Sequence, residues 1–289
     1  MTDAVQRPGV LVTGGGGFIG SALLRGFSAL GWRAIGCGPR RPAANRFEWR
    51  AYDLGWRQLP DELFEGVRVL VHAAYAKRDY ERNVSGTQLL CERAARCGVR
   101  TIVFLSSLAA HPGALSSYGK QKYELERRLE AAGALIVRPG LVVGDGGLFG
   151  AMCAYLRAHR TVPLIGGGRQ PLQTVHVADL VDAICSAVEQ DVTGTYTVAE
   201  AEPVPYRTFY AALADRMHVR ARFVAVPFWV AGLAVNAAGA LRIALPVDRD
   251  NLLGLRAMRA DRGPRLDPPD RRVGDYRDNL ARAFANPSH

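Results

Sequence analysis

The fold is decided by TGGGGFIG, residues 13–20, which follows a short apolar run at residues 10–12 and opens a helical pattern. Glycines spaced in this way allow a tight turn, close approach of the backbone to a pyrophosphate, and close packing of helix on strand. The helix N-terminus would hold the phosphates. The stretch therefore predicts a turn that binds a dinucleotide. Its predicted contacts are Gly14, Gly17, Phe18, Ile19 and Gly20.

From residue 9 to about residue 138, short β-rich apolar runs alternate with helical stretches, as parallel βαβ units do. Near-continuous apolar runs such as residues 102–105 suit strands that are buried on both faces. The sequence predicts an α/β fold, a Rossmann-type doubly wound parallel sheet with a smaller C-terminal substrate lobe. Strands are predicted at residues 10–12, 33–37, 67–71, 101–105 and 135–137, and helices at 18–30, 81–97, 118–131, 148–157, 176–188 and 206–217.

The regularity of this pattern weakens beyond Gly144, where pairs and triplets of glycine interrupt the chain. We therefore predict a NAD(P)-binding domain at residues 1–145, to which residues 173–199 return, and a substrate-binding lobe at residues 146–289.

The composition is that of an ordinary globular protein, with 48% hydrophobic and 22% charged residues in 289. The net charge of +10 fits either an arginine-rich solvated surface or an anionic ligand such as a phosphate-bearing cofactor. No nucleic-acid motif is present. The five cysteines have neither CxxC pairing nor zinc spacing, which indicates reduced thiols and no metal site. Because the first eight residues are polar, no signal peptide is predicted, and we expect a cytoplasmic protein.

The end of the second predicted strand determines which dinucleotide is preferred. An NAD-selective site places a carboxylate there, whereas the 2′-phosphate of NADP needs that acid gone and an arginine near. Residues 36–41 read GCGPRR, without an acid. We therefore expect a preference for NADP(H), with NAD as the second option, and Arg40 or Arg41 on the phosphate. The alternative is that both arginines are merely solvated on a loop.

A tyrosine and a lysine four residues apart suggest proton transfer. Only three of the 37 basic residues are lysines, and two of them fall within YGKQK, residues 118–122. On a helix, Tyr118 and Lys122 lie on one face, about one turn apart. The ammonium of Lys122 could then hold the phenol of Tyr118 near ionisation, as a compact point charge does better than a guanidinium.

The chain resembles the extended short-chain dehydrogenase/reductase family, also described as the NAD-dependent epimerase/dehydratase family, from about residue 9 to residue 199. The motifs that carry the resemblance occur in the order typical of that family. They are TGGGGFIG at 13–20, Asp53-Leu54, His72-Ala73-Ala74, NVSGT at 83–87, Ser106-Ser107, YGKQK at 118–122, Arg138-Pro139-Gly140, and HVAD at 176–179.

This resemblance implies roles for particular residues. Tyr118 would be the general acid/base, Lys122 would lower its pKa and hold the nicotinamide ribose, and Ser107 would bond the substrate oxygen. Because Ser106 is adjacent, either serine could face the site. Asp53 would accept from the adenine amino group, with a backbone N–H donated by Leu54. Further cofactor contacts implied by the motifs are Ala73, Ala74, Asn83 and Pro139.

Departures from the family pattern narrow the chemistry. Dehydratases of the family carry an Asp-Glu pair where this chain has Leu108-Ala109, so dehydration is not expected. Nucleotide-sugar enzymes usually carry an arginine four residues before the histidine of the HV motif, where this chain has Leu172. Arg169 could substitute for it. His111 lies in a short loop at residues 108–117, and we expect it to be exposed to solvent rather than in contact with substrate.

Residues 223–241 contain no charged residue, and Arg222 and Arg242 flank them. Three structures fit this segment: a buried or subunit-contact helix, an interfacial helix or apolar substrate wall, and a membrane span. Pro227 and Asn236 argue against a span. The segment and Leu172 together favour an uncharged or hydrophobic substrate, with peripheral membrane contact through residues 223–241 as one option.

Three functions remain open at this point. The first is an NADP(H)-dependent oxidoreductase that interconverts a ketone and a secondary alcohol with Ser107, Tyr118 and Lys122. The second is a nucleotide-sugar epimerase that uses retained NAD. The third is a nucleotide-binding structural subunit that resembles an accessory subunit of respiratory complex I. A homodimer through the helices at residues 81–97 and 118–131 would follow the family's habit.

Overall fold

A computed structural model describes residues 8–240 and 248–285. Residues 1–7, on which the signal-peptide prediction rests, and residues 241 and 242 at the end of the apolar segment lie outside the described residues.

The strands are β1 (Gly9–Thr13), β2 (Arg33–Gly38), β3 (Glu48–Ala51), β4 (Val67–His72), β5 (Thr101–Leu105), β6 (Leu135–Pro139), β7 (Leu141–Val143), β8 (Thr161–Ile165), β9 (Pro171–Leu172), β10 (Thr174–His176), β11 (Gly194–Val198), β12 (Val204–Pro205) and β13 (Arg222–Val226). The helices are α1 (Phe18–Ala29), α2 (Tyr80–Arg96), α3 (Ser117–Ala131), α4 (Gly147–Ala158), α5 (Val177–Glu189), α6 (Tyr206–Arg216), α7 (Phe228–Ala240), α8 (Arg249–Ala257) and α9 (Tyr276–Ala285).

The described chain divides into two compact units. The first consists of the chain up to Ser106 with Glu124–Val137 and Val177–Tyr196, and the second of Ser107–Tyr123, Arg138–His176 and the chain from Thr197 onwards. Residues 117–123 of α3 thus belong to the second unit, and the remainder of that helix to the first.

A seven-stranded sheet in the order β11-β6-β5-β4-β1-β2-β3 confirms the Rossmann-type α/β fold. Strand β1 pairs in parallel with β2 on one side and with β4 on the other. Thr13, Cys37 and His72 are in register at the carboxyl ends of these three strands. In sheets of this kind ligands bind beyond the carboxyl ends, where the strand order reverses.

The predicted strands and helices agree with the observed ones to within two residues at each end. Strand β3 is not predicted, because it is an edge strand with one side of its ladder unpaired and no apolar run in its sequence, EWRA. The core of the first unit is apolar and includes Leu11, Ile35, Leu70, Phe104 and Ile136, each of which is fully buried.

The second unit contains three small two-stranded sheets, β7 with β10, β8 with β13, and β9 with β12. Its core includes Phe149, Met152, Leu156, Phe209 and Leu280 from α4, α6 and α9. The helices predicted at 148–157 and 206–217 therefore form the apolar centre of this unit.

A buried carboxylate joins three elements of the second unit. Glu200, which is 3% exposed, accepts hydrogen bonds from the backbone N–H and the hydroxyl of Thr174 at 2.7 and 2.9 Å. Its other oxygen accepts from the N–H of Tyr276 at 2.8 Å, where α9 begins, and Asn279 donates to the same Thr174 hydroxyl. Burial outweighs these bonds and raises the pKa of Glu200 to about 6.

The apolar segment is not one buried helix. It divides at Pro227 into β13, which pairs with β8, and α7. Trp229 and Leu233 on α7 are 70% and 61% exposed, so the option of a helix buried within this chain is wrong, while the subunit-contact and interfacial options stay predictions. None of the helices in the described ranges has the length and hydropathy of a membrane span.

Candidate functional site

The glycine turn after β1 brings backbone against backbone in the first unit. Gly14 has φ +66°, and a Cβ atom there would lie 3.1 Å from the Cα of Ala74. A Cβ on Gly20 would overlap the carbonyl oxygen of Gly14, so the first turn of α1 could not pack so closely with a larger residue. The N–H of Gly17 donates to the oxygen of Gly14 at 2.8 Å and closes the turn.

Helix α1 begins at Phe18, with Gly17 before it and no side chain of the described residues capping its first N–H groups. Uncapped N–H groups at a helix start, with the positive end of the helix dipole, suit an anion such as a pyrophosphate. The residues present therefore fit a dinucleotide cofactor, with the turn as its phosphate site.

A buried polar chain fixes the ends of β1 and β4 beneath this turn. The hydroxyl of Thr13 accepts from the N–H groups of Ala73 and Ala74 at 3.1 Å each, and lies 2.7 Å from Nδ1 of His72. Because both lone pairs of that hydroxyl are used, its proton goes to Nδ1. Nε2 of His72 then carries the imidazole proton and donates to Thr87 at 2.9 Å. The chain holds the loop after β4 at the turn.

The same loop is tied to helix α2 by Asn83. This buried amide accepts from the N–H of Ala76 and donates to its carbonyl, both at 2.7 Å. Its predicted contribution to cofactor binding would therefore be made through the loop that carries Ala73 and Ala74, both of them half-buried.

Asp53 lies after β3, as the family pattern requires, but its Oδ1 has two partners already. It accepts from the N–H of Gly55 at 2.7 Å and forms an ion pair with Arg82. Leu54 is buried beside it, and α2 packs onto its backbone at Gly86, where a Cβ would overlap the Leu54 oxygen. Asp53 and Leu54 are thus held in place by α2.

At the end of β2, Gly38 stands where an NAD-selective site has an acid. Arg40 and Arg41 follow it and are exposed. The guanidinium of Arg41 donates to the carbonyls of Asn45 and Phe47, at 3.3 and 3.2 Å, and so holds its own loop. Both bonds use the same terminal nitrogen, so the rest of the Arg41 guanidinium could contact a ligand while its loop stays held.

Trp49 forms an aromatic wall near the turn that the sequence analysis did not identify. Its ring covers two glycines of β2, since a Cβ on Gly36 would lie 2.7 Å from the ring and one on Gly38 3.2 Å from it. A Cβ on Gly16 would meet Pro42 at 2.8 Å and the Trp49 ring at 3.7 Å. Only glycine leaves room for the indole ring at these positions. The glycines of β2 are therefore the sequence signal that could have predicted an aromatic ring here.

The two serines that follow β5 have different partners. Ser106 is buried and donates to the carboxylate of Glu126 at 2.5 Å. Ser107 is half-buried, accepts from the N–H of Ala109 at 3.2 Å and shares a hydrogen bond with the hydroxyl of Tyr118. Of the two, Ser107 is therefore the one placed to bond a substrate oxygen together with Tyr118.

Tyr118 and Lys122 lie in the first turns of α3, and only one lysine of YGKQK is buried. Lys122 is 6% exposed, whereas Lys120 is exposed. Burial raises the pKa of the Tyr118 phenol, and the bond with Ser107 lowers it by less. The expected lowering is therefore not found in the protein alone, because desolvation of the phenolate dominates. The phenol is protonated at neutral pH and can donate a proton.

The start of α3 is held by a carboxylate that sequence reasoning missed. Asp250, on α8, accepts from the N–H of Ser117 at 2.6 Å and from that of Tyr118 at 3.5 Å. A carboxylate at a helix N-terminus satisfies unpaired N–H groups and favours the helix dipole. Because Asp250 follows Tyr118 by 132 residues, no local pattern could have indicated this contact.

The same helix α8 also holds the loop before α3. Its last residue, Ala257, provides a carbonyl at 3.1 Å from Nε2 of His111. His111 is 5% exposed, so the expectation of a solvent-exposed histidine is wrong. Burial and the charge of Arg259 lower its pKa, which keeps the ring neutral and donating from Nε2.

Residues at the start of α4 and around Leu172 differ in exposure. Phe149 is buried and packs against Phe209 and Phe284 in the core of the second unit, whereas Leu148 is 68% exposed. Leu172 is also buried in that core, while Arg169 is exposed.

The sequence also drew attention to Pro139 and to the five cysteines. Pro139 is buried at the end of β6. All five cysteines are free thiols. Across residues 8–240 and 248–285 there is no group of three or more His, Cys, Asp or Glu side chains that could hold a metal ion.

Comparison with known sequences gives a family and two curated relatives. The sequence profile of the NAD dependent epimerase/dehydratase family matches residues 10–199. A ceramide reductase from Caulobacter vibrioides is 30% identical over 69% of this chain and 66% of its own length. The protein y4nG from Sinorhizobium fredii, whose activity is uncharacterised, is 25% identical over 70% of this chain and 56% of its own. The chain thus spans less than two thirds of either relative.

Solved structures share the fold at lower identity. The crystal structure of gox2253 has a TM-score of 0.73 at 22% identity and covers 96% of this chain and 97% of that one. A UDP-glucose 4-epimerase from Thermotoga maritima, with UDP-glucose, has a TM-score of 0.67 at 19% identity and covers 86% and 97%. These similarities concern the fold alone.

Proposed function

Because the chain belongs to the NAD dependent epimerase/dehydratase family, we propose that it is an NADP(H)-dependent reductase that interconverts a ketone and a secondary alcohol. The observation that carries the proposal is the hydrogen bond between Ser107 and the protonated phenol of Tyr118, with Lys122 buried one turn along α3. A structural subunit needs the glycine turn but has no use for this group of side chains.

The residues of the second unit account for the proton in this reaction. When it is bound, the nicotinamide supplies the hydride that reduces the carbonyl carbon. Ser107 and Tyr118 would both hydrogen-bond the carbonyl oxygen, which becomes an alkoxide as the hydride arrives. Tyr118 then gives its proton to that oxygen, which completes the alcohol. The buried ammonium of Lys122 would stabilise the phenolate until solvent returns the proton.

Two features disfavour the other reactions of the family. Leu108-Ala109 stands after Ser107, so no acid is present there to remove water. Leu172, where a sugar-nucleotide enzyme would have an arginine, is 6% exposed within an apolar core, and a guanidinium in its place would be costly. An epimerase that uses retained NAD is the alternative, and the experiment below includes it.

The preference for NADP(H) rests on the end of β2. Gly38 provides no carboxylate for a ribose 2′-hydroxyl, and the exposed Arg40 and Arg41 follow at once. A 2′-phosphate would gain charge-assisted bonds with either guanidinium, whereas NAD would gain none.

For the substrate we propose a ketone on a long-chain lipid. The similarity to the Caulobacter ceramide reductase supports this class. So does the apolar Leu172, which offers nothing to an anionic diphosphate.

The test is to remove any copurifying nucleotide, identify it, and measure the affinities for NADPH and NADH. NADPH consumption is then followed with long-chain ketones of the ceramide type in mixed micelles. At least tenfold preference for NADPH, about 1.4 kcal/mol, together with turnover of a lipid ketone, is the expected result. Tightly retained NAD with no net consumption of NADPH would overturn the proposal in favour of the epimerase.

A further inference from the structure

Helix α7 exposes apolar side chains that nothing in the proposed reaction uses. Trp229, Val230 and Leu233 are 70%, 36% and 61% exposed, and the spacing of Trp229 and Leu233 by four places them on one helix face. We call these three residues the α7 surface. From Phe228 to Ala240 the helix carries no charged residue. A helix that is apolar on all sides is normally buried in protein or in lipid.

The charges on either side of α7 in the sequence indicate what covers this surface. Between Asp215 and Asp248 the chain has no acidic residue, but it has four arginines, at positions 216, 220, 222 and 242. The three arginines before α7 are exposed. A second copy would bring a like-charged segment towards its twin, which costs energy, whereas an anionic lipid surface complements the charge.

The composition and length of α7 specify the mode of contact. A hydrocarbon core of about 30 Å needs about 20 residues of helix, and α7 has 13. Tryptophan favours the boundary between headgroups and acyl chains because its ring is apolar and its N–H is polar. An apolar helix with flanking arginines and an exposed tryptophan therefore suits the plane of a membrane surface, not its interior.

We propose that the α7 surface binds an anionic lipid membrane, and that this contact gives the enzyme access to a lipid ketone held in the bilayer. The second clause rests on the proposed function, while the first is independent of it. The source of the negative charge is lipid headgroups at a surface, so free phosphate or soluble anions should not replace the membrane.

The experiment is flotation of the purified full chain with vesicles of phosphatidylcholine alone and of phosphatidylcholine with phosphatidylglycerol. We expect binding to the anionic vesicles, weakened by salt. The double variant Trp229→Ser/Leu233→Ser should lose at least tenfold in partition coefficient, and Arg220→Gln/Arg222→Gln should lose part of it. The matched control is Leu30→Ser, which removes a leucine that is 51% exposed at the end of α1 and should leave binding unchanged.

Affinity for NADPH and far-UV circular dichroism establish that the variants are folded. Equal flotation of the wild type and the Trp229→Ser/Leu233→Ser variant, or no flotation of the wild type, would overturn the proposal. So would a dimer of the wild type that becomes a monomer in this variant, since the α7 surface would then bind a second copy.

Turnover separates failure of this proposal from failure of the proposed function. The Trp229→Ser/Leu233→Ser variant should keep its kcat/KM towards a short, water-soluble ketone and lose at least tenfold towards a lipid ketone in anionic vesicles. Vesicle binding without turnover of any ketone would refute the reductase and leave the membrane contact standing. Turnover of the lipid ketone at equal rates by both proteins would refute the role of the α7 surface in access to the substrate and leave the reductase standing.

Discussion

The glycine turn and the start of α3 are built in opposite ways. At the turn, backbone approaches backbone, and the room for this is provided by glycines within residues 13–20 themselves. At the start of α3, the N–H groups of Ser117 and Tyr118 donate to Asp250, which lies on a helix and follows Tyr118 by 132 residues. The comparison shows that the packing of the glycine turn is encoded largely within one short stretch of sequence, whereas the start of α3 depends on a residue brought to it by the tertiary structure.

The largest effect should come from removing the proton donor while keeping its ring. Tyr118→Phe should lower kcat by about 100-fold to 10,000-fold, because general acid catalysis contributes that much. The affinity for NADPH, which we assign to the glycine turn, should change by less than about threefold, under 1 kcal/mol. Tyr123→Phe, on the same helix, is the matched control and should retain turnover. If Tyr118→Phe keeps full activity, Tyr118 is not the acid.

A variant of the glycine turn is the converse test, and it should lower the stability of the turn. In Gly20→Ala the new methyl group would overlap the carbonyl oxygen of Gly14, so we expect a loss of about 1–3 kcal/mol of unfolding free energy. NADPH affinity, measured by titration, should fall with it. Gly150→Ala in α4 adds the same methyl group with no heavy atom within 4 Å and should be neutral or slightly stabilising. Equal effects of the two variants would show that the turn is not tightly packed.

A pH experiment would sharpen the comparison by testing another long-range carboxylate of the second unit. The pKa of Glu200 is raised from 4.5 to about 6, so folding disfavours its charged form. Its contribution to stability is therefore present below pH 4.5 and lost as pH rises through 6, by about 2 kcal/mol. In urea unfolding at pH 4.5 to 7, Glu200→Gln should remove this fall, and Glu202→Gln, exposed two residues away, should retain it. A wild-type slope unchanged by Glu200→Gln would contradict the assignment.

Variants of Asp250 test most directly whether the start of α3 depends on a residue far away in sequence. Asp250→Ala removes a cap worth about 1 kcal/mol and should lower kcat by about fivefold to tenfold, without changing NADPH affinity. Asp250→Asn keeps an acceptor for the Ser117 N–H and should recover most of the loss. The pH dependence of kcat should shift in Asp250→Ala, since the phenol moves relative to its partners, and a purely structural defect would leave it unchanged.

The control for this experiment is Asp270→Ala, which removes an exposed aspartate and should match the wild type. A normal kcat and pH profile in Asp250→Ala would mean that α3 positions Tyr118 without help from α8.

The smallest effect is expected at the end of β2. Arg40→Ala and Arg41→Ala should each lower NADPH affinity by up to fivefold, about 1 kcal/mol, and leave NADH affinity unchanged. Because Arg41 already bonds two carbonyls of its loop, we expect Arg40→Ala to have the larger effect. Unchanged NADPH affinity in both variants would remove these arginines from the cofactor site.

Much of the fold could be predicted because its signals are local. The glycine turn, the apolar runs at 102–105 and the helices on either side are encoded by neighbours in sequence, so their bounds agree with the structure. Strand β3 was missed because an edge strand needs no apolar run, and its pairing with β2 is a property of the sheet. His111 was misjudged because its burial depends on α8. For α7 the sequence left several options open, because a charge-free segment suits a core helix as well as a surface that another molecule covers.

The contact of α8 with α3 also orders events during synthesis. Tyr196, the last residue of the first unit, leaves the ribosome before Asp250 does. Since domains commonly begin to fold while the chain is still growing, the nucleotide turn can be complete while the reacting helix still lacks its cap. Under the proposed function, a nascent or prematurely ended chain would then hold nucleotide without reducing its substrate. Competence for chemistry would be the last property that the growing polypeptide acquires.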